Sequence, residues 1–240
     1  MSDPLDGDKP PDTVDSQRAR LASFTKLEQL SLSGSNVAEL DFVENLTSLR
    51  LLDCGHTPIS DLTPLIRLSN LQCLWCNHTQ VADLTPLSGL SCLQLLNCTQ
   101  TNVSNLAPLS SLRALEELVC VGTRVSDLMP LASLPALHHL NCYGTPISDL
   151  APIASLSALQ TLSCGHSQVR DLTPLSHLSD LRTLNFSHLK INDLTLLMGL
   201  AALEDLDCSS TEVSDLTPLA ALPNLRVLRC ARTCVSDLAP

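Results

Sequence analysis

Residues 71–92 read LQCLWCNHTQVADLTPLSGLSC, residues 93–114 read LQLLNCTQTNVSNLAPLSSLRA and residues 115–136 read LEELVCVGTRVSDLMPLASLPA. Laid over one another, they agree at positions 1, 4, 6, 9, 11, 14, 16, 17 and 20. Working outward in steps of 22, Leu27, Leu49, Leu71, Leu93, Leu115, Leu137, Leu159, Leu181, Leu203 and Leu225 all fall at position 1, with no insertion or deletion. Position 4 is Leu in all ten copies, position 14 is Leu from Leu40 to Leu238, and position 16 is Pro in eight. A unit this short cannot close a core alone, but stacked copies can bury their apolar faces on one another.

Within a copy, apolar positions 4 and 6 alternate with polar 5 and 7, which is the period of a strand. Copies in register predict one parallel sheet, with strands about 4.8 Å apart. Position 13 is acidic or Asn, and Pro follows three residues later. A carboxylate there can accept from the backbone amides that follow, and Pro suits the start of a helical turn. The return leg is therefore expected to be irregular with one 3₁₀ turn, leaving strands on the inner side.

The template LxxLxCxxTxVxDLxPLxxLxx resembles the leucine-rich-repeat family, whose signature is LxxLxLxxN/CxL. The resemblance covers residues 21–240, and the VSDLTPL segment is similar to the internalin-like and phosphatase-regulator-like subtypes. It implies an α/β-type repeat solenoid, curved, with a parallel β-sheet on the concave face and turns or short 3₁₀ segments on the convex face. It also implies a non-catalytic, regulatory protein–protein interaction module binding a macromolecular partner on the concave face. Two alternatives come with it: a targeting arm of a larger signalling or effector protein (GTPase, kinase or ubiquitin ligase type), and an internalin-like surface adhesin.

Composition narrows the partners. The net charge is −11 and the aromatic share is 2%. Such a surface lacks the Lys/Arg footprint that nucleic acid or an anionic membrane requires. No apolar run approaches the ~18 residues of a membrane span. No phosphate loop, triad pattern or metal set appears. The expectation is no enzyme, no cofactor and no small-molecule substrate, but a protein partner. The opening MSDPLDGDKPPDTVD lacks the basic start and apolar stretch of a Sec-type signal. The expected location is cytoplasmic, with secretion without a Sec signal as the alternative.

Three regions are expected. Residues 1–17 hold five Asp and three Pro and read as a disordered tail. Residues 18–26 form a half-repeat cover, with Leu21 and Phe24 at positions 17 and 20, and residues 27–240 form the ten-repeat solenoid. The tenth repeat stops at Pro240, its position 16, without the polar cap a solenoid needs. This leads to the expectation of a longer chain, or of an end covered by a partner.

Three ladders look chemical but read as structural. Cys54, Cys76, Cys98, Cys120, Cys142, Cys164, Cys208 and Cys230 share position 6, where Leu32 and Phe186 stand in the other copies. That exchange marks an apolar column of buried, unreactive thiols. Cys73, Cys92 and Cys234 lie outside it and are the expected reactive ones. Cys73 and Cys76 form a CxxC, but strand positions 3 and 6 point to opposite faces, so no metal site is read there. Nine carboxylates at position 13, with the five Asp of the tail, make 14 of the 25 acidic residues, so the acidity is mostly a turn device. Thr at position 9, as in Thr57 and Thr79, can bond backbone after the strand.

Function is expected where exposed strand positions differ between copies. The only Trp and the only Tyr, Trp75 and Tyr143, fall at positions 5 and 7 of the inner face. Between them lie Asn97, Val119, Val121, His138, His139 and Asn141, and Asp53 and His56 flank the patch. Aromatics among polar neighbours are the usual anchors of an interface. His56, His78, His166 and His188 share position 8, and the neighbouring pairs lack a clear third metal ligand. Late in the chain, Glu204, Asp205, Asp207 and Glu212 are followed by Arg226, Arg229 and Arg232, which reads as neutralisation across strands or as a second polar contact zone.

Overall fold

Leu at positions 1, 4, 14 and 20 leaves each copy one apolar side, and the stack buries it. The computed structural model describes residues 14–236. Its strands are β1 (Gln29–Ser31), β2 (Leu51–Asp53), β3 (Cys73–Trp75), β4 (Leu95–Asn97), β5 (Glu117–Val119), β6 (His139–Asn141), β7 (Thr161–Ser163), β8 (Thr183–Asn185), β9 (Asp205–Asp207) and β10 (Val227–Arg229). They form one ten-stranded parallel sheet in chain order. The register is a shift of one whole repeat, so Leu52, Leu74, Leu96 and Leu118 pair in sequence. Leu, Val, Ile and Cys side chains fill a single continuous core.

Among the described residues, the return leg carries the expected 3₁₀ turn in nine repeats, as at Thr63–Leu65 and Thr85–Leu87. Two polar devices hold most of the loops. The position-13 carboxylate accepts the N–H two residues on: Thr63 to Asp61, Thr85 to Asp83 and Thr173 to Asp171, each at 2.8 Å. Asn105 does the same for the Ala107 N–H at 2.9 Å. The position-9 Thr hydroxyl donates to the position-6 carbonyl, as Thr57 to Cys54 at 2.6 Å, which closes the turn after the strand.

Position 8 is left-handed in all ten repeats. Gly supplies it at Gly34, Gly122 and Gly144, but His56, His78, Gln100, His166, His188, Ser210 and Arg232 also hold φ between 53° and 62°. In the nine repeats from Gly34 to Ser210 that amide has a second use. The position-8 N–H donates to the position-7 carbonyl of the next repeat, as His56 to Asn77 at 2.8 Å and Gly144 to Gly165 at 2.9 Å.

The amino-terminal cover departs from the half-repeat expectation in beginning as a helix, while its last residues keep the half-repeat's turn bonds. Residues 1–13 of the expected tail lie outside the described residues, and Val14–Ala22 form a helix, α1, that packs against the 3₁₀ turn Asp41–Val43. Arg18 pairs with Glu39 at 2.9 Å, and Leu21 and Ala22 rest on the core. Phe24, expected beneath the first layer, is 52% exposed. From Leu21 on the chain keeps a repeat's path, since Phe24 N–H donates to the Leu21 carbonyl at 3.0 Å and Leu27 to Phe24 at 2.8 Å, as Leu46 does to Val43 and Leu49 to Leu46 at 2.9 Å; before that point Arg, Ala and Leu favour a helix.

Candidate functional site

The sheet brings five of the expected residues into one row. Asp53, Trp75, Asn97, Val119 and Asn141 sit at position 5 of β2 to β6 and are register partners in that order. All five are half-buried, so the row is accessible from the concave side while its neighbours at position 4 are fully buried. The polar members have a second role. The Asp53 carboxylate accepts the Gly55 N–H at 3.0 Å, Asn97 accepts that of Thr99 at 3.0 Å, and Asn141 accepts that of Tyr143 at 3.2 Å. Their oxygens therefore fix the strand exit, and Asn97 and Asn141 keep the amide NH₂ free to donate to a partner. Trp75 has no such duty. Its carbonyl receives the Cys54 N–H at 2.8 Å, which ties the backbone and leaves the indole free of structural bonds.

Tyr143, at position 7, leans toward position 8 of the next repeat. Its ring lies 5.9 Å from that of His166, which is 5.4 Å from that of His188. Gly165 makes this possible, because a Cβ there would meet Tyr143 Cε2 at 2.9 Å and the Ser187 carbonyl at 2.7 Å. His56 stacks on His78 with ring centres 4.4 Å apart and planes 15° apart. The face thus carries two short runs of rings, in which His78, His166 and His188, outside the patch expected from the sequence, join His56 and Tyr143. Their shared position 8 was the available signal.

His138 Nε2 lies 3.5 Å from Glu116, and His139 Nε2 lies 4.0 Å from Glu117, both half-exposed pairs on the inner face. Val121 sits half-buried beside the left-handed Gly122. The late charges pair across strands: Arg182 with Glu204 at 3.1 Å, Arg226 with Glu204 at 3.4 Å and Arg229 with Asp205 at 2.6 Å. Among the described residues, no group of three or more His, Cys, Asp and Glu converges to hold a metal ion, and no helix is long and apolar enough to cross a membrane.

The thiols divide by depth. Cys54, Cys76, Cys98, Cys120, Cys142, Cys164 and Cys208 are fully buried. Burial pushes Cys54, Cys120 and Cys164 from the ordinary 9.0 up to about 12, and Cys208 to about 11. Cys230 is only half-buried, unlike its column-mates, because β10 has no later described strand over it. Cys73, expected to be reactive, is half-buried, and its thiol is pushed up by desolvation and then by Glu117 and Glu116. Cys92 and Cys234 are exposed.

Residues 25–67 match the family model for leucine-rich repeats in two copies. Internalin C2 of Listeria monocytogenes is 30% identical with a TM-score of 0.68, over 88% of this chain and 82% of that one. The internalin InlF of the same organism is 27% identical with a TM-score of 0.80, over 92% of this chain and 72% of that one. A third similar structure shares the fold at 17% identity and a TM-score of 0.72, over 90% of this chain and 31% of that one. It is the ectodomain of the receptor kinase GASSHO1/SCHENGEN3 from Arabidopsis thaliana, solved in complex with CASPARIAN STRIP INTEGRITY FACTOR 2. No curated protein matches the chain.

Proposed function

The chain belongs to the leucine-rich-repeat family and shares the internalin-like fold, and from that premise we propose that it takes a protein or peptide partner on the concave face of its sheet. Leucine-rich-repeat folds generally serve as protein–protein interaction modules and are typically not enzymes. The observation that carries the concave reading is the position-5 row. There Trp75 presents an indole with no structural task, three strands from the Tyr143–His166–His188 run of rings. Rigid aromatics on a half-exposed surface gain contact area at little entropic cost and act as anchors, with polar neighbours supplying specificity. The plant receptor with its bound factor supports the same use of the fold.

Trp75→Ala and Tyr143→Ala should each weaken capture of a partner by more than about 1 kcal/mol, while Met129→Ala, on the exposed convex turn, should leave it unchanged. Capture from the native cell extract with all three variants, followed by titration of the captured protein, tests this. Equal capture by both ring variants would remove the concave patch from the reading.

We read the protein as cytoplasmic. Eleven free cysteines suit a reducing compartment, where disulfides are rare. The likeness to internalins favours a second reading, a surface adhesin. Surface labelling of intact source cells separates the two: protection from a membrane-impermeant label supports the first, and labelling supports the second.

A further inference from the structure

Beside the sheet, along one flank of the stack, runs a second ladder of backbone bonds. The position-10 N–H donates to the position-11 carbonyl of the preceding repeat. Gln80 donates to Ile59, Asn102 to Val81, Arg124 to Val103 and Gln168 to Ile147 at 2.8 Å, and the rungs resume at Glu212 to Ile191 and Cys234 to Val213. Pro58 and Pro146 have no N–H to give. Lys190 has one, yet among the described residues it makes no backbone bond, and the Val169 carbonyl facing that rung is equally bare.

A local cause is visible. In seven repeats the position-9 Thr hydroxyl clasps the position-6 carbonyl, as Thr145 does to Cys142 and Thr211 to Cys208 at 2.6 Å. Repeat seven has Ser167 there, whose hydroxyl oxygen instead receives the Val169 N–H at 3.4 Å. Repeat eight has Leu189, which has no hydroxyl and buries its side chain to 2% exposure. Two successive copies therefore lack the clasp, and the flank parts between them into a groove of about 500 Å³.

The groove gathers donors. Its walls include Arg170, Lys190, His188 and the hydroxyls of Ser148 and Ser167. Position 12 is Ser, Ala or Asn in every copy but the one with Arg170. Neither Arg170 nor Lys190 forms an ion pair among the described residues, although Arg182, Arg226 and Arg229 nearby in sequence all do. The one acid in its lining serves its turn: Asp171 accepts from the Thr173 N–H at 2.8 Å. On a chain of net charge −11, a groove with two uncommitted cations and a bare amide is an exception.

We infer that this flank groove binds a phosphoryl dianion. A guanidinium fork, an ammonium, a backbone N–H and hydroxyls outnumber the acceptors of one carboxylate but suit the three terminal oxygens of a phosphate. The Asp171 charge and the bare Val169 carbonyl in the wall are costs that a dianion between two cations overcomes more readily than a monoanion. The phosphoryl group can come from a phosphorylated side chain of a partner or from a free phosphate.

The test is a titration of the ¹⁵N-labelled full chain with inorganic phosphate at constant ionic strength, following the Lys190 amide. A saturable shift that chloride does not reproduce, weakened at least tenfold in the Arg170→Gln/Lys190→Gln variant, supports the site. Both side chains are exposed, so the variant should melt as the parent does. A phosphoserine peptide binding tenfold tighter than phosphate makes the source a modified protein, and equal affinity makes it a free phosphate. A non-saturable shift, or the same affinity in the variant, overturns the inference.

Discussion

Seven residues without special freedom hold a left-handed backbone because the stack requires it. His56, His78, Gln100, His166, His188, Ser210 and Arg232 each adopt the conformation that Gly34, Gly122 and Gly144 take without strain. For a residue with a Cβ this costs about 1 kcal/mol or more. Ser210→Gly should therefore raise stability by roughly 1 kcal/mol, read as a higher urea midpoint, provided glycine's extra freedom in the unfolded chain does not cancel the gain. A midpoint lowered by the full ~1 kcal/mol that glycine's freedom in the unfolded chain costs would show that the left-handed turn is not strained. This constraint was hard to read from the sequence: three Gly in ten copies is a faint mark, and four His at one position looked like chemistry. The rings at those positions owe their neighbourhood to the strand repeat, which brings His56 and His78 into a stack with centres 4.4 Å apart.

The 3₁₀ turn was the more legible element. Acid or Asn at position 13 with Pro at position 16 named both the bond and the turn, and the structure shows the pair in repeat after repeat. Those bonds hold Asp61, Asp83, Asp171, Asp193 and Asp215 below the ordinary 3.8, chiefly through the side-chain and backbone bonds from the Thr two residues on. A carboxyl lowered in the folded state stabilises it above the unfolded value and loses that contribution as pH falls through the folded value. Stability should thus be flat from neutral pH down to about 5 and fall below 3.8. Asn105 makes the same bond without a titrating group. An Asp171→Asn/Asp193→Asn/Asp215→Asn variant should accordingly show a shallower acid limb in urea midpoints measured across that range. An identical limb would mean the turns do not set the acid sensitivity.

For the whole molecule, one-dimensional stacking means a defect in the middle is felt on both sides. Leu118→Ala, fully buried at the centre of β5, should cost about 2–5 kcal/mol in guanidinium unfolding through the cavity it leaves. A loss below 1 kcal/mol would mean the neighbouring coils close over the gap. The thiol column gives a second measure. Disulfide-exchange reagent should react at once with Cys92 and Cys234, and with the seven buried thiols only on unfolding. Raised thiol values also set an alkaline limb. A thiol raised from 9.0 to about 12 stays protonated in the folded chain where the unfolded chain ionises, so stability is full below 9.0 and falls as pH climbs from there toward 12. Unfolding midpoints that hold level to pH 11 would contradict this depth of burial.

The sequence by itself determined the period, the in-register parallel sheet, the apolar identity of the Cys column and the role of position 13. Each of these depends on a pattern repeated ten times, and repetition makes local chemistry into architecture. Only the tertiary structure decided what happens where the copies differ. It showed the helix that leads into the half-repeat, the Tyr143 ring passing over Gly165, and Asp53, Asn97 and Asn141 accepting bonds from their own backbone. It also showed the missing rung at Lys190. Such features depend on contacts between one copy and the next, and a residue's neighbour twenty-two positions away becomes a neighbour only once the chain has coiled.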